Sequence, residues 1–251
     1  MLANMTDREK EILDLISDDP SVTVAELGRH LGVSAVTVRT SLNTLAKKGY
    51  ILRTWGGAFP TFHPDMMEHQ RDRVEEKNRI AKAAAALVED GDTIMIEAGT
   101  TTALITRYLF GKRDISIVTN NFLLIPYARA NPAIRLTLVG GDFRPSTEST
   151  VGPIALLELD RFHVRRAFVG TDGFSMEKGL TTHLVEGAEI VKKMAAQAQE
   201  TVLVADSAKY GKVGFVRVLP ITAVSRIISD SDMDTAARQL IQESGIALEI
   251  V

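Results

Sequence analysis

The 251 residues include no cysteine, which excludes disulfide frameworks, Cys-based zinc sites and thiol catalysis, while 45% hydrophobic and 24% charged residues suit a soluble protein that buries its cores unaided. The net charge of −3 conceals a segregation: residues 1–26 hold seven acids against Arg8 and Lys10, whereas residues 27–64 hold no Asp or Glu and five cations, Arg29, Arg39, Lys47, Lys48 and Arg53. No run approaches the ~18 apolar residues of a membrane span and the N-terminus has no apolar core, so neither a signal peptide nor an anchor is expected, and the chain is expected in the cytoplasm.

Residues 6–17 read as a helix, with Thr6 as N-cap, Glu9 three positions on, and Ile12, Leu13, Leu15 and Ile16 as the apolar stripe. A second helix starts at the capping box Thr23-Val24-Ala25-Glu26 and stops at Gly32. Ser34 then caps a third helix over 35–47, after a turn of helix-turn-helix length. Tyr50–Leu52 and Arg53–Gly57 read as two short strands around a tight turn, that is, a wing that includes Trp55 and Gly56. The polar stretch after it, with two prolines, reads as a linker, giving a small domain over 1–60, a linker over 61–76 and a second domain over 77–251.

From Lys77 onward helical and strand patterns alternate. Strands are predicted at 93–97, 115–120, 134–139, 165–170, 201–206, 224–229 and 247–251, and helices at 77–89, 101–110, 122–130, 153–161, 185–199 and 234–244. Alternation of this kind specifies an α/β domain with a largely parallel sheet, whose ligands bind beyond the carboxyl ends of the strands.

On the third helix Ala35, Val38, Leu42 and Leu45 share one face, so the opposite face presents Val36, Thr40, Asn43 and Lys47, flanked by Thr37, Thr44 and Arg39. Asn reads adenine, Thr meets polar base edges or the thymine methyl, and Arg and Lys reach guanine or phosphate. With Ser34 at the helix start and Arg53 on the wing, the candidate contacts to double-stranded DNA are Ser34, Val36, Thr37, Arg39, Thr40, Asn43, Lys47 and Arg53. A three-helix bundle with a solvated polar face is the plain alternative; capping, turn length, the acid-free stretch and the glycine wing together favour the groove.

After the strand at 93–97 comes Gly99-Thr100-Thr101 at a helix start, where free N–H groups, hydroxyls and the helix dipole favour an anion such as phosphate. Further polar turns fall at strand ends: Thr119-Asn120-Asn121, Gly140-Gly141, Gly170–Gly173 with Asp172, and Asp206–Lys209. Each alone is equally a capped or tight turn, and Glu186 equally an acid on a helix dipole. Together Glu97, Gly99, Thr100, Thr101, Thr119, Asn120, Asn121, Gly140, Gly141, Asp172, Glu186 and Lys209 form a candidate pocket for a phosphorylated sugar or polyol. Nothing in the pattern calls for a cofactor, a metal or a catalytic residue.

These blocks resemble the DeoR family of bacterial transcriptional regulators over nearly the whole chain. The resemblance rests on Val33-Ser34, Thr37-Val38-Arg39, Leu42, Leu45 and Gly56-Gly57-Ala58, then on Glu75, Lys77, Ile80-Ala81, Gly91-Asp92, Gly99-Thr100-Thr101, Thr119-Asn120-Asn121, Gly140-Gly141, Gly170, Asp172-Gly173, Asp206-Ser207, Lys209 and Gly211. It implies a winged helix-turn-helix ahead of a sensor domain with the fold of ribose-5-phosphate isomerase. It further implies an oligomeric repressor, a dimer or tetramer, of a carbohydrate or polyol operon, released from its operator by a phosphorylated sugar. Two positions depart from the family pattern: Arg39-Thr40-Ser41 stands where two arginines and an aspartate are usual, and Glu97 where an aspartate is usual. The rival readings are a sugar-phosphate isomerase, with Glu97, Asp172, Glu186 and Lys209 as its acids and base, and an interaction adaptor whose winged helix no longer binds DNA.

Overall fold

The computed structural model describes residues 5–54 and 57–251. The chain divides into two compact units: one runs to Asp72 and takes in Pro145–Thr147, and the other comprises Arg73–Arg144 and Glu148–Val251.

In the first unit the helices are α1 (Asp7–Asp18), α2 (Val24–Leu31) and α3 (Ala35–Lys47). Both expected capping boxes form: Thr6 exchanges bonds with Glu9, and Thr23 with Glu26. Gly32 ends α2 in the left-handed conformation at φ 62°, which an L side chain resists, and so turns the chain into α3. Strands β1 (Ile51–Arg53) and β2 (Ala58–Pro60) pair antiparallel, with Arg53 opposite Ala58. Of the wing turn, Trp55 and Gly56 lie outside the described residues.

Residues 61–76, read as a linker, hold helix α4 (Pro64–Arg71) and the start of α5 (Val74–Ala86). Polar composition hid two apolar residues there. Met66 and Met67 are both buried, Met67 joins the core of Ile12, Leu13, Ile16, Leu27, Val38, Leu42 and Leu45, and Arg71 pairs with Asp14 at 3.4 Å.

The second unit is a seven-stranded parallel sheet, the α/β class expected. Its strands in chain order are β3 (Thr93–Ile96), β4 (Ile115–Thr119), β5 (Ile134–Leu138), then β8 (Val164–Val169), β11 (Ala198–Val204), β13 (Arg226–Ser229) and β14 (Ala247–Ile250), the intervening short strands being β6 (Asp142–Arg144), β7 (Ser149–Val151), β9 (Gly173–Ser175), β10 (Gly179–Thr182) and β12 (Val216–Leu219). The order across the large sheet is β14-β13-β11-β8-β3-β4-β5. The chain therefore builds outward from β3 in one direction and, after β5, from β8 in the other, which makes the β3–β8 boundary a topological switch point.

Alternate residues of the central strands serve two cores. Ile94, Ile96, Ile117, Phe168, Val202 and Val204 face one, with α5, α6 (Thr100–Arg107) and α7 (Ile125–Ala130); Met95, Val118, Val169, Leu203 and Ile227 face the other, with α8 (Pro153–Leu159), α9 (Val185–Ala196) and α10 (Thr235–Glu243). Burial on both faces explains the near-continuous apolar runs in sequence. The pairs β6–β7 and β9–β10–β12 were not expected: they are strands of three or four residues, too short for a period of two to stand out in the sequence.

Candidate functional site

The α3 surface of the first unit is built by packing the other side of the helix. Val38, Leu42 and Leu45 are fully buried, so Val36, Arg39, Thr40, Asn43 and Lys47 are left exposed, with Thr37 and Thr44 half-buried beside them. Arg53 on β1 reaches Asn43 at 3.5 Å, which brings the wing cation to the same face. Lys48 points elsewhere. Its ammonium binds the buried Glu9 carboxylate at 2.9 Å, and although burial works against ionisation, the Thr6 N–H and Lys48 hold Glu9 below its ordinary pKa. The hydroxyls of this face are also committed: Ser34 Oγ and Thr37 Oγ1 lie 2.9 Å apart, Thr40 Oγ1 donates to the Val36 carbonyl, and Thr44 Oγ1 donates to the Thr40 carbonyl.

In the second unit the strand-end residues meet at the carboxyl edge of the sheet, and they divide into those spent on the scaffold and those left open. Asn120 accepts from the Ala98 N–H and donates to the Thr150 carbonyl, both at 3.0 Å. The Asn121 amide donates to the Glu97 and Gly99 carbonyls at 3.2 and 3.0 Å, and Thr119 Oγ1 bonds the Ile96 carbonyl and the Asn121 N–H. These three side chains therefore hold the turn between β3 and α6 in shape. Gly140 donates its N–H to Glu158 on α8 at 2.6 Å, and Gly141 sits at φ 137° where a Cβ would come within 2.5 Å of the Val151 carbonyl oxygen. Glu158 was not a sequence candidate, since its partner is a backbone N–H eighteen positions away. Asp172 is occupied by Thr182 Oγ1 at 2.7 Å and the His183 N–H at 2.9 Å, and Glu186 pairs with Arg144 at the surface.

What remains open lies around the switch point. No side chain caps the N-terminus of α6, and among the described residues the Thr100 and Thr101 hydroxyls and the Lys209 ammonium have no hydrogen-bond partner. Three residues before Thr100, Glu97 is buried, accepting from the Gly170 N–H at 3.0 Å across the β3–β8 boundary. Burial raises its pKa to about 8, against the lowering effect of the Gly170 bond and with a further push from the Asp172 charge, so the carboxyl is largely protonated at neutral pH. A cavity of about 550 Å³ lies at the opposite, amino-terminal edge, lined by Asp92, His163, Arg165 and Gln197. Arg165 there is neutralised by Glu89 and Asp92, so that edge offers a phosphate little.

A residue the sequence did not single out organises the edge behind Lys209. Arg73 opens α5 in the left-handed conformation at φ 48°, and its guanidinium lies 3.0 Å from Asp230, 3.4 Å from Asp206, 2.9 Å from Asp232 and 3.3 Å from Ser207 Oγ. Asp206 and Asp230 are almost wholly buried. Burial would raise the Asp230 pKa, but hydrogen bonds from Ser207 and the Asp232 N–H, with the Arg73 charge, hold it below the ordinary aspartate value. Since Arg73 lies more than 130 positions from Ser207 in the chain, no local pattern could have announced the pairing.

The model of the DeoR-like helix-turn-helix domain matches residues 8–60, and that of the DeoR C-terminal sensor domain matches residues 72–231. The chain belongs to the DeoR family. This DeoR-family chain is 30% identical to the HTH-type transcriptional regulator IolR of Bacillus subtilis (strain 168), covering 97% of this chain and 98% of that one. It is 31% identical to the HTH-type transcriptional regulator GlpR of Haloferax volcanii, over 96% of both chains, and 26% identical to the putative aga operon transcriptional repressor of Escherichia coli O157:H7, over 98% and 94%. These relatives are transcriptional regulators rather than enzymes, and the chain is a DNA-binding transcriptional regulator. Among solved structures, ribose 5-phosphate isomerase A from Methanocaldococcus jannaschii matches at 22% identity over 55% of each chain with a TM-score of 0.41. The probable sor operon regulator of Shigella flexneri matches at 13% identity over 68% of this chain and 89% of its own, with a TM-score of 0.45. Among the described residues no helix is long and apolar enough to cross a membrane.

Proposed function

We propose that this regulator is a cytoplasmic, homo-oligomeric repressor of a carbohydrate or polyol catabolic operon, released from its operator by a phosphorylated sugar or polyol. The proposal rests on one observation: unpartnered Thr100 and Thr101 hydroxyls at the uncapped start of α6 follow directly on a buried Glu97 at the switch point of the sheet. The helix start takes the phosphate, through its free N–H groups, dipole and hydroxyls. The Glu97 carboxyl, neutral at pH 7, donates to a sugar oxygen while accepting from Gly170, and Lys209 supplies the positive charge. Thr119, Asn120, Asn121, Gly140 and Gly141 act by keeping this edge in shape. The names of the relatives agree with this role, since one is a putative aga operon repressor.

On the DNA side, Arg39 and Lys47 meet phosphate or guanine while the first turns of α3 face the bases. Thr101→Val removes one hydroxyl with little change of shape, so operator binding is expected to be unchanged while the effector concentration needed for half-release rises roughly tenfold or more, the usual cost of a lost hydrogen bond to a charged group. Anisotropy of a labelled operator duplex measures both. Normal release by the variant would remove Thr101 from the phosphate site.

A further inference from the structure

We propose that the α3 face of this protein reads thymine methyl groups, with Val36 and Thr40 as the specificity-determining residues; the inference rests on the DNA-binding role of α3. Val36 is 69% exposed in the first turn of α3, an apolar side chain among the polar residues of that helix face, and none of the described residues of its unit buries it. Thr40 and Thr44 follow it at successive four-residue steps and so form one ridge with it. Their hydroxyls turn back onto the helix, Thr40 Oγ1 to the Val36 carbonyl at 3.0 Å and Thr44 Oγ1 to the Thr40 carbonyl at 3.1 Å. The third threonine of the face is engaged as well, since Thr37 Oγ1 shares a bond with Ser34 Oγ.

With those hydroxyls committed, the groups left outward along the ridge are methyls. Guanine presents two acceptors in the major groove and requires a donor opposite them; Val36 has none, and the Thr40 proton is spent. Thymine presents a C5-methyl, which is the apolar partner such a ridge suits. Thr40 thus presents the groove with a methyl and no free donor. The operator half-site is accordingly built on thymines where Val36 and Thr40 meet it, with Arg39, Lys47 and Arg53 supplying phosphate or guanine contacts to either side.

The test begins with selection of duplexes from a randomised pool by the full-length protein. Each thymine of the enriched site is then replaced singly by deoxyuridine, which differs only in lacking the C5-methyl. Binding is expected to weaken about fourfold at each contacted thymine, the factor for one buried methyl-sized group. Thr40→Ser keeps the hydroxyl and removes the methyl; it is expected to bind the thymine site about fourfold less well and to become indifferent to deoxyuridine at one position. Val36→Ala should do the same at a neighbouring position. An enriched site that binds equally well with deoxyuridine throughout overturns methyl readout while leaving DNA binding intact. Deoxyuridine penalties that persist undiminished in both variants overturn the assignment to Val36 and Thr40. Failure to enrich any sequence overturns the DNA-binding reading and this inference with it.

Discussion

Glu97→Gln is expected to stabilise the protein increasingly as the pH rises from 4.5, by about 1.4 kcal/mol per pH unit, levelling off near pH 8 at a total on the order of 5 kcal/mol. Below pH 4.5 the carboxyl is protonated in both folded and unfolded chains, and its burial exacts no charge penalty. Between 4.5 and about 8 the unfolded chain releases a proton that the folded chain retains, so the native protein loses stability with rising pH. Above that range the buried carboxylate is charged and the full cost is present. Glutamine offers the same acceptor to the Gly170 N–H and cannot ionise, so the slope disappears with it. Urea unfolding of both proteins between pH 4.5 and 8.5 measures the difference; parallel pH profiles would show that Glu97 does not titrate in a buried state.

Removing the Arg73 side chain is the second large effect. Arg73→Ala leaves Asp206 and Asp230, both buried, without their cation, and the expected loss is roughly 3–5 kcal/mol at neutral pH. Arg73→Lys recovers only part of this, because an ammonium cannot reproduce a planar fork that meets Asp230, Asp232 and Asp206 together. The Asp230 pKa is depressed in the folded chain, so the stability it contributes is present above the ordinary aspartate range and is lost as the pH falls through its lowered value. The penalty of the variant should therefore shrink in acid. Denaturant unfolding at pH 7 and again below pH 4 checks both statements, and a loss under 1 kcal/mol at pH 7 would mean that the strand ends hold their shape without the guanidinium.

Sequence and structure agree most closely where local chemistry decides the conformation. The capping boxes at Thr6 and Thr23 and the glycine at 32 place α1 to α3 within a residue of their expected bounds. The central parallel strands were legible because both of their faces are buried, so that Ile94–Ile96, Ala167–Val169 and Val202–Val204 each read as an apolar run. Agreement weakens where long-range partners decide. The three-residue strands β6 and β7 owe their pairing to each other rather than to propensity, and α4 depends on Met67 reaching the first core. The strand-end turns were visible in sequence, yet whether a polar residue there is scaffold or open site depended on partners some twenty to thirty positions away, as for Asn120 with Ala98 and Thr150. The division between Thr119, Asn120 and Asn121 on one side and Thr100, Thr101 and Lys209 on the other is therefore what the structure adds to the candidate pocket.

Regulation by a phosphorylated metabolite is tested most directly by anisotropy of the full-length protein on DNA flanking its own gene, titrated with phosphorylated sugars and polyols and with their unphosphorylated counterparts. The expected result is a salt-sensitive complex that a phosphorylated compound releases at concentrations where its unphosphorylated counterpart does nothing. A complex that no phosphorylated compound disturbs, or that both forms release equally, would contradict it.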